Sequence, residues 1–430
     1  MTGSLGSLVA AFKIPDLRRR ILFVFGMFAV FVVGVHIPIP NVSREAMERL
    51  FAQGGNLLGL FDVFSGGALR KFSIFAMGII PYINASIIFQ LLGIASPRIQ
   101  QLAREGPSGQ RKIGQYTRYL TMALAFGQAW GVTLMLRGQG VIIVPSVLHL
   151  LPMTITLTAG TAFLMWLGEQ ITDQGIGNGV SLIIFAGIMA RVPYDVTKTW
   201  EGLVAGVHGV DNILFMAALF VVTVLAIVYM QQGQRKIPIQ HAKRVVGSRI
   251  YSGANTHLPL RVNSAGVIPI IFAISISIFP ATIAQFLPQS DTWLVLREWL
   301  VRSGPGESKW GSAVYFLLVI FFTYFYTAVT FNVEEVSDNL KKNGGYVPGI
   351  RPGKPTRDYL DRVLVRLTLA GALFLGVIAL MQYYVGDITG VKTYTLVGGT
   401  SLLIVVGVAL ETMQAIEGQL VMRHYQGFIR

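Results

Sequence analysis

An all-α membrane protein that crosses the bilayer many times is the fold class this sequence predicts, on three observations. Its 430 residues are 53% hydrophobic and only 13% charged, against about 25% charged in ordinary soluble domains, and mean hydropathy is +0.59. Apolar stretches of roughly 20 residues, the length an α-helix needs to cross a bilayer core, recur along the whole chain. Lys and Arg gather in alternate segments between those stretches.

Ten candidate spans lie near residues 21–38, 73–94, 118–137, 149–168, 177–193, 212–230, 264–287, 312–332, 363–385 and 394–415. Residues 1–20 carry Lys13 and Arg18–Arg20 ahead of the first apolar run. A secretory signal has that outline, but no small-residue cleavage site follows and nine more spans do, so the run reads as an uncleaved helix. Residues 57–69, LLGLFDVFSGGAL, are apolar yet too short to cross, and Gly66–Gly67 breaks them off from the second span. On residues alone this is an amphipathic helix lying on the outer surface. The fifth span, GIGNGVSLIIFAGIMA, is short and broken by glycine at its start.

Counting basic residues orients the spans. With a cytoplasmic N-terminus, twenty-four of the 35 Lys and Arg fall inside, and the positive-inside bias then places both termini in the cytoplasm. Topology, rather than nucleic acid, accounts for the net charge of +14. Spans 1–5 form an N-terminal half over 21–194, an external linker covers 195–211, and spans 6–10 form a C-terminal half over 212–415 with a cytoplasmic tail at 416–430. Five is odd, so equivalent halves are pseudo-symmetric and inverted, with any shared site near the midplane.

The second span holds PYINASIIFQ, too polar for a helix facing only lipid. At 100° per residue, Ile83, Ser86 and Gln90 lie within about 40° of Ile79, whereas Asn84 lies about 140° away. Isolated polar groups in hydrocarbon are costly, so one side lines a wet funnel and Asn84 meets another helix; ordinary packing by small and polar residues is the plainer alternative. Other spans repeat a mid-depth isoleucine below a wetter surface: Ile271 with Ser264, Ile404 with Glu411, and Ile184 with Ile188 beside Ser181.

Other function classes find little support. With zero cysteines and six scattered histidines, thiolate catalysis and Cys-based metal sites are excluded, and no cofactor is expected. GIRPGKPT resembles a phosphate loop, but three residues separate Gly349 from Gly353 and Pro355 stands where Ser or Thr is required. A secondary transporter would place ionisable groups at mid-membrane, whereas Glu169, Asp173 and Glu411 sit at helix ends. No G-x-S-x-G or H-E-x-x-H motif suggests an intramembrane enzyme.

GIIPYINASIIFQLL (78–92) and WLGEQITDQGIGNGVSLIIFAGI (166–188) resemble the two signature stretches of the SecY family, the central subunit of the bacterial Sec protein translocase. The resemblance extends through THLPLRVNSAGVIPIIFA, GGYVPGIRPGKPT and GGTSLLIVVGVALE, in family order over essentially the whole chain. It implies a protein-conducting channel with a central hourglass pore, releasing transmembrane segments sideways into the cell inner membrane. The implied pore ring is Ile79, Ile83, Ile184, Ile188, Ile271 and Ile404. A re-entrant plug near 57–69 would include Leu60, Phe61, Phe64, Gly66 and Gly67. Asn84, Ile87 and Gln90 would lie at a lateral gate between spans 2 and 3 and spans 7 and 8. The resemblance implies SecE and SecG as small membrane subunits, the SecA motor ATPase, the ribosome with its nascent chain, signal sequences and membrane lipids as partners, with no cofactor.

Two inside loops are long enough to dock such partners. Residues 231–263 have turn and β-like features and no acid, and carry Arg235, Lys236, Lys243, Arg244, Arg249 and Arg261. Positive-inside topology explains some of these charges; the resemblance assigns all but Arg261 to docking. In the loop at 333–362, Pro348, Gly349, Pro352 and Gly353 would stiffen a projecting turn that presents Arg351, which matches a family arginine needed for motor coupling.

Overall fold

The computed structural model describes residues 11–53, 62, 65–143, 146–207, 209–241, 244–246, 249–251, 256–286, 291–306, 308–391 and 399–427. The first half is built from α1 (Pro15–Val35), the short α2 (Arg44–Gln53), α3 (Ile80–Ala95), α4 (Pro97–Arg104), α5 (Pro107–Gly138), α6 (Leu150–Gln174) and α7 (Gly179–Val204). The second holds α8 (Val210–Gln232), α9 (Ile268–Phe286), α10 (Asp291–Arg302), α11 (Lys309–Thr330), α12 (Val333–Lys342), α13 (Lys354–Thr389) and α14 (Gly399–Gly427). Among the described residues, seven helical stretches are long and apolar enough to cross a bilayer, or eight if α3 and α4, bent by 102° between them, count as one span. The 21-residue α1 and 19-residue α9 complete the ten.

The internal repeat, which no sequence similarity displays, is visible in the packing. In the first half α5 packs on α3 and α6, α6 also on α1 and α7, and α1 on α7. In the second half α11 packs on α9 and α13, α13 also on α8 and α14, and α8 on α14. Each pairing recurs five spans later. The halves meet along two seams, α7 against α14 and α9 against both α3 and α5.

A small sheet decorates one face. Strand β1 (Gln234–His241) pairs antiparallel with β4 (Thr256–Arg261) and with β5 (Gly345–Tyr346), tying the two long loops together. Between them β2 (Arg244–Val246) and β3 (Arg249–Tyr251) form a separate hairpin. Arg261 of β4 donates to Gln414 on α14, while Ala11 and Leu17 cluster with Ile176 and Ile416. The N-terminal stretch, the α6–α7 turn and the end of α14 therefore share this loop face. On the far face, Ile39, Met47, Phe72 and Ile142 form a separate apolar cluster.

Two boundaries differ from the expected ones. The second span was expected to be helical from 73, but helix starts only at Ile80, and residues 65–79 run through turns and one bridge, Pro38 to Ser73. Positive φ at Gly66, Gly67, Phe72 and Gly78 interrupts the helix. Non-helical backbone is tolerated at membrane depth only inside protein, and Ala68, Phe72, Ser73, Phe75 and Ile79 are all buried. The expected linker at 195–211 is also shorter, because α7 continues to Val204 despite Pro193. Arg191–Asp195 and Lys198–Glu201 pairs carry the helix on.

Candidate functional site

At the centre, segments from both halves converge on isoleucine. Ile79 occupies the N-cap position of α3, where Pro81 follows in the first turn and gives up an N–H that has no helical partner there. Ile184 and Ile188 stand one turn apart on α7, and Ile404 faces them from α14. These four side chains are 2%, 3%, 1% and 1% exposed, so the waist is packed shut. Ile83 packs against this cluster and also against a second cluster in the other half. Ile271 differs: it is half-buried on α9, beside Ile270 and Phe272, which belong to the second cluster.

Local sequence fixes the α7 side of the waist. Asn178 caps α7, accepting from Val180 and Ser181 at 3.0 and 3.3 Å. Gly179 lies so close to the Gly168 carbonyl that any Cβ there would collide with it. The glycine-broken start of the fifth span is thus a tight α6–α7 joint that sets the height of Ile184 and Ile188.

The expected plug is only partly covered, since Leu60, Phe61 and Phe64 lie outside the described residues. Gly66 and Gly67 both have positive φ, 71° and 81°. A Cβ on Gly66 would stand 2.8 Å from the Gly187 Cα, which puts this backbone against α7 between the two ring positions. Ala68 joins the waist cluster itself.

On the α9 seam, Ile87 of α3 is 9% exposed and packs with Ile270, Ala273 and Ile274 of α9 and with Phe322 of α11. Leu91 borders the same cluster, and Gln90 is exposed. Asn84 Oδ1 is buried and has no hydrogen-bond partner among the described residues.

On the loop face, Arg235 and Lys236 are exposed along β1. Arg244 and Arg249 take opposite strands of the β2–β3 hairpin, paired with Tyr251 and Val246 respectively; Lys243 lies outside the described residues. Arg351 is exposed in a turn bounded by Gly349 and Gly353, with φ of 78° and 99°. That turn is braced: Thr356 Oγ1 donates to the Arg351 carbonyl at 2.8 Å, and Ser337 Oγ to that of Gly353 at 3.0 Å.

A closed apolar waist between inverted halves, with a basic loop face above it, is what the comparisons bear on. The family model described as SecY matches residues 73–413. A protein translocase subunit SecY of Halalkalibacterium halodurans is 46% identical over 427 residues, covering 97% of this chain and 98% of its own length. The chain belongs to the SecY family. It is therefore a multi-pass membrane protein of a translocation-channel family, not an enzyme. Among solved structures, canine Sec61 in a ribosome–channel complex from the endoplasmic reticulum aligns with TM-score 0.66 at 18% identity, covering 96% of both chains. A SecY channel whose plug domain is described as stabilising the closed state and maintaining a membrane seal aligns with TM-score 0.62, again at 18% identity and 96% of both chains. At that identity both likenesses speak to the fold.

One group of this SecY-family chain escaped sequence reasoning. Arg191 on α7 is ion-paired at 3.1 Å to Asp62, in the segment before α3, and at 3.3 Å to Asp195. All three are buried. A signal existed: Asp62 is the one charge in LLGLFDVFSGGAL, and Arg191 with Asp195 are four apart at the end of a span. Nothing in the sequence joins positions 129 residues apart.

Proposed function

We propose that this chain forms the pore through which unfolded secretory polypeptides cross the cytoplasmic membrane, and from which transmembrane segments leave sideways into lipid. The observation that carries this reading is the burial of Ile79, Ile184, Ile188 and Ile404 against one another across the two halves. A narrow ring of branched aliphatics dewets and resists ions, yet offers no polar site at which a threading chain would stick. Wetting each such side chain costs about 1.5–3 kcal/mol, so the waist reseals once empty. Ile83 and Ile271 complete the ring in this reading.

Residues 57–69, with Leu60, Phe61, Phe64, Gly66 and Gly67, act as the plug beneath the ring. The seam of α3 and α5 with α9 is the lateral gate, where Ile87 supplies apolar contact and Asn84 and Gln90 keep it weakly held. Arg235, Lys236, Lys243, Arg244, Arg249 and Arg351 dock the SecA motor or the ribosome with its nascent chain. The chain supplies no nucleotide hydrolysis, so the partner drives transport. The basic face is cytoplasmic by the positive-inside bias, and both termini lie with it. SecE and SecG complete the complex in the inner membrane, where signal sequences and lipids meet the gate.

The test is single-channel recording in planar bilayers. Replacing Ile79, Ile184, Ile188 and Ile404 together with serine should raise resting ion conductance at least about tenfold, since a polar ring no longer dewets. Conductance equal to the parent's would reject the waist as the seal.

A further inference from the structure

We infer that Asp62, Arg191 and Asp195 form an ionic latch that seats the segment before α3 against α7 beside the waist. The inference rests on reading residues 57–69 as a plug, and adds the groups that seat it.

The geometry is specific. Arg191 Nη1 meets Asp62 Oδ2 at 3.1 Å, and its Nε meets Asp195 Oδ1 at 3.3 Å. The other Asp62 oxygen accepts the Arg70 backbone N–H at 2.8 Å, and the Asp62 carbonyl accepts from Gly67 N at 2.8 Å and Ser65 Oγ at 3.1 Å. One aspartate, through its carbonyl and its carboxylate together, therefore folds its own segment into a turn and ties that turn to α7. Four residues past Asp62, the backbone of Gly66 touches Gly187, one helical turn before Arg191. Arg70 in turn donates to the Tyr194 hydroxyl at 2.8 Å, a second tie between the same two elements.

Electrostatics makes this a locator rather than a clamp. Burial pushes the Asp62 carboxyl above its ordinary range; the charges of Arg191 and Arg70 oppose that shift, and Asp195 adds to it. Taking such charges out of water offsets much of what their mutual attraction returns, as buried pairs commonly show. Water restores the hydration of every member when the segment swings away, so the intact group resists opening only weakly. Removing one member is different, because the buried charges left behind then lose an opposite charge in the closed state alone.

The test uses the full chain with its companion subunits in planar bilayers, read as resting ion conductance. Arg191→Met should raise it about tenfold or more, because two buried carboxylates lose their cation. Asp62→Arg combined with Arg191→Asp keeps two acids and one guanidinium in the group, and should return conductance to within about threefold of the parent. Arg191→Lys keeps the charge without the planar fork and should fall between the parent and Arg191→Met. Deleting residues 57–69 separates the two readings. If deletion raises conductance while Arg191→Met and Arg191→Lys both match the parent, the latch is wrong and the plug stands. If deletion changes nothing, the plug reading fails first. A swapped double variant that assembles normally yet leaks like Arg191→Met would also overturn the latch, leaving Arg191 a packing residue of α7.

Discussion

The two seams between the halves are built differently. Along α7 and α14, Ile184, Ile188, Ile404 and Val408 are all buried in one cluster with side chains of α1 and α6. Where α3 and α5 meet α9, Ile87 sits at the edge of burial, Asn84 buries an acceptor without a partner among the described residues, and Gln90 is exposed. Pro280 further lacks the N–H that would stiffen α9. A pair of halves joined firmly on one side and loosely on the other has one direction in which to open. The firm seam is suited to a hinge and the loose one to a gate.

The firm seam should give the largest effect. Ile404→Ala removes a fully buried side chain from close-packed surroundings and should destabilise the folded chain by about 2–5 kcal/mol. Thermal unfolding of the purified complex would register this as a clear fall in Tm. An unchanged Tm would mean that α7 and α14 are not rigidly packed, and the contrast between seams would disappear.

At the loose seam the expected change is smaller and of opposite sign. On the gate reading, opening the seam would wet Asn84 Oδ1, which is buried and has no partner among the described residues; an unsatisfied buried acceptor costs about 1–3 kcal/mol. Asn84→Leu removes that penalty from the closed state alone, so closed seams should gain roughly 5- to 150-fold over open ones. The chain has no cysteine, so spin labels on Ile88→Cys and Ile276→Cys, at exposed positions of α3 and α9, would report the distance cleanly. A broader or longer distance distribution in the Asn84→Leu chain would contradict the sign.

Sequence reading reached the ten spans, because hydrocarbon imposes one length and one composition on every crossing helix. It singled out Ile79, Ile184, Ile188 and Ile404, which the structure buries in one cluster, through the family motifs more than through periodicity, since isoleucine is common in this chain. It missed the start of α3, where a run of apolar residues reads as helix although glycines at positive φ break it. It missed the end of α7, which leaves the apolar zone and continues on ion pairs that hydropathy does not score. The Asp62–Arg191 contact was beyond reach for a different reason: Arg191 shows only Asp195 as a local partner, and Asp62 meets it only because the segment before α3 folds back. Asn84 was recognised as facing away from the waist, but only the structure indicates that its acceptor has no partner among the described residues.

The smallest effect on stability, and the one that links the seams to the loop face, is expected at Arg351. Strand β4 ends at Arg261, and seven residues later the chain enters α9, one side of the loose seam. Strand β5, just ahead of the Arg351 turn, pairs with β1 in the same sheet. On the proposed docking role, a partner gripping that turn would pull on a sheet that leads directly into α9. Arg351 is exposed and its side chain has no role in bracing its own turn, which hangs on backbone carbonyls. Arg351→Glu should thus leave stability within about 0.5 kcal/mol of the parent, as for an ordinary surface site. Motor-driven export should nevertheless fall about tenfold or more, since charge reversal against a docked partner costs several kcal/mol. Export from inverted membrane vesicles, normalised to the amount of inserted chain, separates the two quantities. Normal export by that variant would detach the loop face from the gate and leave the looseness of the α9 seam without a lever.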